Sequence, residues 1–289
     1  PLDSGKGRSY HGFTVFRFPA RCAFMDHSAV STLDSRAIER LLHETGGFYR
    51  VRTLAESNST NDDVKIAARQ EEPEGLVVIA DRQTAGRGRL RRAFFSPDGT
   101  GLYMSVLLRP TMRASDSVLV TAAAAVAVAE AIEEVSGRSA GIKWVNDIFL
   151  NEKKVCGILT EGTVGQDGLL QYAALGIGVN VAPPPGGFPE EIAAIACAVY
   201  EESAPPEARA HLAAEILENL FSNRKLAARA FLPAYREKSL ILGKPVMVSL
   251  GEERFPAEAV SIDDACRLIV KTERGLLPLC AGEVSIRPV

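Results

Sequence analysis

The chain's 289 residues suit two domains or one large domain with an appendage, and 46% hydrophobic with 24% charged residues is enough to build a sizeable core. Its formal net charge of −3 argues against a protein whose main task is coating nucleic acid. The five cysteines (Cys22, Cys156, Cys197, Cys266 and Cys280) form no C-x-x-C pair, which signals neither a zinc site nor a disulfide framework, and no run reaches the roughly 18 apolar residues that span a bilayer.

In chain order, residues 1–30 read as a disordered leader without the apolar core or cleavage site of a signal peptide, and Met25 is expected to begin the natural protein. Leu33, Ala37, Ile38, Leu41 and Leu42 fall on one helical face, and Gly46-Gly47 is expected to end that helix. The polar residues 56–63 open a second helix. Strands are expected at 76–80, 102–108, 142–150, 154–160 and 172–181. Between the second and third of these lies an alanine-rich buried helix over 118–129, with Ser115 or Ser117 as its N-cap and Gly137 as its stop. Pro183-Pro184-Pro185-Gly186-Gly187 is a stiff breaker on an exposed connection. A long amphipathic helix then spans 206–230, burying Leu212, Ile216, Leu217, Leu220 and Phe221. After Tyr235, short β runs at 246–248, 257–261, 268–270 and 284–286 suggest a small all-β barrel.

Three segments carry chemistry. Thr84-Ala85-Gly86-Arg87-Gly88-Arg89-Leu90-Arg91-Arg92 follows a buried strand as a cationic loop whose guanidinium forks suit phosphate or carboxylate. A solvated basic loop or a nucleic-acid patch is the bland alternative, and in a mildly acidic chain one anionic ligand fits better. The segment from 143 to 159 reads as a hairpin with its tip at Asn151-Glu152-Lys153. A single hairpin lysine is usually just a solvated charge. Lys143 and Asp147, however, interrupt apolar strands, where an unpaired charge is costly, so they point to a polar cleft. In Gly176-Ile177-Gly178-Val179-Asn180, two glycines in a strand mark close backbone approach, and Asn180 offers a side-chain oxygen. Neither a P-loop nor a dinucleotide fingerprint is present.

These residues resemble the biotin–protein ligases. The matching parts keep the family's order: Ser59-Thr60-Asn61, Gln83-Thr84-Ala85-Gly86-Arg87-Gly88-Arg89, Phe95-Ser96-Pro97, Leu102-Tyr103-Met104-Ser105, Lys143-Trp144-Val145-Asn146-Asp147, Lys153-Lys154 with Gly157-Ile158-Leu159, and Gly176-Ile177-Gly178-Val179-Asn180. Ala281-Gly282-Glu283-Val284-Ser285 is a weaker match to the closing strand. The resemblance implies an α+β fold, a mixed sheet with helices akin to class II aminoacyl-tRNA synthetases, over 31–237. An SH3-like β-barrel is implied over 238–289. It also implies a cytoplasmic ligase that uses ATP and Mg²⁺ to convert biotin to biotinyl-5′-AMP, then passes biotin to a lysine of a biotin carboxyl carrier protein.

Carried over residue by residue, the resemblance makes Lys154 the charge between biotin carboxylate and α-phosphate, with Arg89 as its catalytic companion. Ser59, Thr60, Asn61, Gln83, Gly86, Arg87, Gly88, Arg89, Lys154 and Gly157 are implied to bind biotin or the adenylate. Arg92, Lys143, Asn146, Asp147 and Asn180 are implied to face ATP, with no metal ligand assigned beyond the ATP phosphates. Three positions depart from the family: Arg91 stands for the usual glycine, Phe94 for tryptophan, and Val145 for proline. Too few residues precede Ser57 for a three-helix DNA-binding domain. The resemblance is therefore to the monofunctional type without operator binding or membrane association, and a homodimer is left open. A lipoate or other acyl-carrier ligase, and a non-catalytic biotin- or nucleic-acid-binding protein, remain as alternatives.

Overall fold

The computed structural model describes residues 33–226, 229–280 and 284–288. The expected leader, including Met25, and the tail residues Ala281-Gly282-Glu283 lie outside them. The first part of the chain builds α1 (Ser35–Leu41), β1 (Arg50–Ser57), α2 (Thr60–Arg69), β2 (Leu76–Gln83), β3 (Gly101–Leu108), α3 (Val118–Ser136), β4 (Gly141–Lys143), β5 (Asp147–Leu150), β6 (Lys153–Val164) and β7 (Leu170–Asn180). Three helices follow, α4 (Glu190–Ala193), α5 (Ala208–Asn223) and α6 (Leu232–Glu237). The seven strands form one sheet in the order β1-β2-β3-β7-β6-β5-β4. Only β1 and β2 run parallel; the other pairs are antiparallel.

Alternation along the strands assigns the two faces. Val77 and Ile79 of β2, Leu102, Met104 and Val106 of β3, and Leu175, Ile177 and Val179 of β7 enter the main core with α3 and α5. Leu76, Val78, Leu107 and Ala174 point the other way and pack under Val64, Ala67 and Ala68 of α2. The alanines at 122–125 are fully buried, so α3 lies close against its neighbours and ends at Gly137 in the left-handed conformation, as its position predicts. Ser117 holds the N-cap position but makes no capping hydrogen bond.

The remaining strands, β8 (Pro245–Leu250), β9 (Glu253–Ile262), β10 (Leu268–Thr272), β11 (Gly275–Leu279) and β12 (Val284–Pro288), form an antiparallel sheet ordered β11-β10-β9-β8-β12. This is the small all-β unit the spacing predicts, but its outer strands do not pair with each other, so the barrel is not closed by hydrogen bonds among the described residues. The sequence reading misses β11 because Pro278 cannot donate to a ladder; the strand sits at the sheet edge, where a proline is tolerated.

Four further boundaries differ from expectation. The first helix ends at Leu41, and Gly46-Gly47 turn the chain later with φ of 58° and 76°. The edge strand β1 is missed because arginines and a glutamate hide its alternation. The single strand expected at 142–150 is two strands, with Lys143 paired to Asp147 across a turn whose Trp144–Val145 peptide is cis. The long helix starts at Ala208 and ends at Asn223 rather than running to residue 230.

One ion pair ties β2 to α5 inside the main core. Arg209 Nη1 donates to Asp81 Oδ1 at 2.8 Å, with both side chains buried. Removing the guanidinium takes the paired charge away from a buried carboxylate, so Arg209→Met is expected to destabilise the protein by about 3–5 kcal/mol. Urea unfolding of that variant checks the value, and Asp81→Asn added to it should recover part of the loss.

Candidate active site

Adjacent strands β6 and β7 each contribute glycine to the α2 face of the sheet. Gly157 stands opposite Gly178, and Leu159 opposite Gly176. The missing side chains leave a hollow, and its surroundings leave no room for a Cβ. One on Gly178 would lie 2.6 Å from the Phe94 ring, and one on Gly176 would lie 2.5 Å from Asn61 Oδ1. A Cβ on Gly157 would lie 3.2 Å from Lys154 Nζ. Above this floor is a cavity of about 850 Å³.

A neutral hydrogen-bonding network forms one wall, at the start of α2. Thr60 N and Oγ1 donate to Gln83 Oε1 at 3.0 and 3.2 Å, so a glutamine from β2 satisfies a helix N-terminal amide that Ser59, at the cap position, does not. Thr60 Oγ1 and Ser105 Oγ lie 2.7 Å apart, and Ser105 donates to Asn61 Oδ1 at 2.7 Å. Gln83 Nε2 donates to Ser96 Oγ at 3.1 Å. Ser59, Thr60, Asn61, Ser96 and Ser105 are all buried, and the last four are hydrogen-bonded, as buried polar groups generally are.

Cations form the opposite wall. Lys154 Nζ donates to Asp147 Oδ1 at 2.7 Å. Arg89 Nη1 donates to Asn146 Oδ1 at 3.0 Å, and Asn146 Nδ2 donates to the Ile158 carbonyl at 2.9 Å, which fixes the amide's orientation. Burial lowers the Arg89 pKa, and the Asp147 charge works against that shift; a guanidinium stays protonated regardless. Lys143 lies over the Phe149 ring, 5.6 Å from its centroid. Asn180 Nδ2 donates to the Cys197 carbonyl at 2.9 Å. The 195–197 segment also brackets Lys154: its backbone N–H donates to Ile195 O, and its carbonyl accepts from Cys197 N. Cys156 lines the cavity as a fully buried thiol whose pKa burial pushes well up, so it stays protonated.

The arginine loop arches between these walls. Gly88 N donates to Arg92 O and Phe94 N to Gly86 O, closing a narrow loop with a single 3₁₀ turn at Arg89–Arg91. Its left-handed residue is Leu90 at φ 55°, not a glycine. Gly86 is required for close approach: a Cβ there would lie 2.7 Å from both Phe94 O and Ser96 Oγ. Arg87 turns toward α2 and donates to Asp62 Oδ1 at 2.6 Å, a bond that lowers the Asp62 pKa.

Two family descriptions match the chain. Biotin/lipoate A/B protein ligases match residues 53–180, and the biotin protein ligase C-terminal domain matches residues 241–287. The bifunctional ligase/repressor of Bacillus subtilis is 34% identical over 235 residues, covering 79% of this chain and 71% of that protein. The biotin–[acetyl-CoA-carboxylase] ligase of Paracoccus denitrificans is 32% identical over 245 residues, covering 80% and 98%. The solved biotin protein ligase from Aquifex aeolicus, in complex with biotin and ATP, superposes with a TM-score of 0.67 at 31% identity, covering 83% of this chain and 99% of that one. The chain belongs to the biotin protein ligase family.

In this ligase, fourteen of the fifteen residues singled out from the sequence line the same cavity; Gly86 lies outside it and shapes the base of the loop. Asn146 lies in the turn between β4 and β5 rather than on a strand. Asp147 is engaged with Lys154, and Asn180 with the Cys197 carbonyl. Of the three departures, Phe94 lays its ring on the glycine floor, Val145 offers its carbonyl to Tyr235 Oη at 3.0 Å, and the Arg91 side chain lies outside the described residues. Ser105 stands in the matching run 102–105 but is given no role from the sequence, although a small hydroxyl residue among the apolar residues of β3 is a readable signal. Gly178→Ala should destabilise the enzyme by about 1–3 kcal/mol through overpacking. Less than half of that should remain in a Phe94→Ala background, as measured by urea unfolding of the double-mutant cycle.

Proposed function

We propose that this protein activates biotin with ATP to biotinyl-5′-AMP and pyrophosphate, then transfers the biotinyl group to a lysine of a biotin carboxyl carrier protein. The observation that carries this reading is one cavity with a neutral hydrogen-bonding wall facing Lys154 and Arg89. Ser59, Thr60, Asn61 and Gln83 suit the ureido end of biotin, whose N–H and C=O groups need partners out of water. Lys154 has three donors. Asp147 holds one, which leaves two for the biotin carboxylate and an α-phosphate oxygen. Holding two mutually repelling anions in line is worth up to ~7–11 kcal/mol in well-oriented cases, and the ammonium offsets the charge that builds on phosphorus as the carboxylate oxygen attacks and pyrophosphate departs. Arg89 and Arg92 cover the mixed anhydride and keep water out. The carrier amine then attacks the acyl carbon and releases AMP.

Lys143, Asn146, Asp147 and Asn180 are the side chains on the nucleotide side. Among the described residues no group of three or more His, Cys, Asp or Glu is arranged to hold a metal ion. In this reading Mg²⁺ arrives with the triphosphate, since this ion keeps several waters and takes one or two carboxylates; Asp147 is the carboxylate we assign. Residues 31–237 are read as the catalytic unit and 238–289 as the C-terminal unit, with the two family matches in support. No helix among the described residues is long and apolar enough to cross a membrane. Cys156, Cys197, Cys266 and Cys280 are free thiols, which supports a cytoplasmic location.

Incubation with biotin, MgATP and a biotin carboxyl carrier domain should add one biotinyl group to the carrier, read by mass, and only when ATP is present. Lipoate in place of biotin should give no product; equal use of lipoate would favour a lipoate ligase. Lys154→Ala should slow adenylate synthesis by at least ~10²-fold with an unchanged circular dichroism spectrum, and normal synthesis would remove Lys154 from its assigned role.

A further inference from the structure

Where the arginine loop passes the start of α2, four charged side chains alternate in sign. Arg87 Nη2 donates to Asp62 Oδ1 at 2.6 Å and lies 3.7 Å from Glu161 Oε2. Lys65 Nζ lies 2.9 Å from Asp62 Oδ1 and 3.1 Å from Glu161 Oε1. Glu161 Oε2 also accepts from Asn61 Nδ2 at 2.8 Å. Two carboxylates therefore join three pieces of chain: the loop, α2 and β6. An isolated surface pair of this kind stabilises little, but a network of charges with fixed geometry stabilises more.

Beyond Phe94, whose ring lies on the glycine floor, the loop's tip is partly exposed. Leu90 is 52% exposed and Phe95 39%, and the bonds from Gly88 to Arg92 and from Phe94 to Gly86 stay within the loop. Arg89 ties one side to the turn after β4 through Asn146, and Arg87 ties the other side to α2. We propose that Asp62, assisted by Glu161, is a latch that holds the arginine loop over the cavity and so sets how long the adenylate is retained. Asp62 does not line the cavity and acts through Arg87, so it is a positioning residue. Glu161 adds a second link: it orients the Asn61 amide, so the latch joins the loop to the wall assigned to biotin. The retention part rests on the ligase reading above; the latch itself does not.

Trypsin tests the latch without ligand, because it cuts after Arg87, Arg89, Arg91 and Arg92. In the ligand-free protein, Asp62→Asn and Glu161→Gln should each speed cleavage in the loop roughly three- to fivefold, since cleavage tracks the open population. Asp62→Glu, which keeps the charge, should be cut at the wild-type rate. Asp63→Asn is the control: Asp63 also lies in the first turn of α2 but accepts from Ser57 rather than from the loop, and it should leave cleavage unchanged. With biotin and MgATP, Asp62→Asn should release adenylate faster by a similar factor, at a nearly unchanged rate of adenylate formation. Wild-type cleavage by Asp62→Asn, or equal acceleration by Asp63→Asn, would overturn the latch. Absence of adenylate from the wild-type protein would count against the ligase reading, while the trypsin comparison would still decide the latch.

Discussion

The site depends on three absent side chains. Gly157 and Gly178 face each other across β6 and β7, and Gly176 lies one pleat further along on the same face. A sheet in that position would otherwise be covered by its own residues, as it is a few positions away where Leu107 and Ala174 pack beneath α2. Leaving the face bare lets Phe94 lie on it and lets Asn61 approach the backbone of β7. It also puts the Lys154 ammonium beside Gly157. Any Cβ added here meets an aromatic ring, an amide or the lysine itself, so the hollow and its walls form one unit.

Two of the cations that line the cavity have a neutral or a singly anionic partner near the β4–β5 turn. Arg89 is carried by an amide whose own orientation is fixed by the Ile158 carbonyl, and Lys154 by one carboxylate. Arg87, facing two carboxylates, is turned toward the scaffold. Arg87 and Arg89, two positions apart, thus do different work, and a 3₁₀ turn redirects the chain after Gly88.

The turn that carries Asn146 is itself supported from outside the seven-stranded sheet. Trp144 Nε1 donates to the Cys266 carbonyl at 2.9 Å, reaching into the turn between β9 and β10, and Tyr235 Oη donates to the Val145 carbonyl. Arg236, on the same helix as Tyr235, donates to the Ile262 carbonyl at 2.8 Å. Ile142 N donates to the Lys238 carbonyl and its own carbonyl accepts from Leu240 N, bridging to the segment that follows α6. The C-terminal sheet and α6 therefore hold the segment between Lys143 and Asp147 in place.

Much of this was legible in the chain itself. Apolar alternation marks β2, β3 and β7, the alanine-rich run and Gly137 mark α3, and Gly86 to Arg89 with Lys154 mark the cationic chemistry, because local propensity and hydrogen-bonding capacity depend on residue type. The edge strand β1 and the proline-bearing β11 were hidden, because an edge strand needs neither clean alternation nor a full set of donors. The break at Trp144 was hidden as well, since apolar residues continue across it and its turn is held by distant partners. Residue type alone could not say that Arg87 faces Asp62 while Arg89 faces Asn146, that Asp147 is the partner of Lys154, or that the glycines of β6 and β7 coincide across the ladder. Those relations bring together residues up to 57 positions apart, and only the packing of strands and helices fixes their distances.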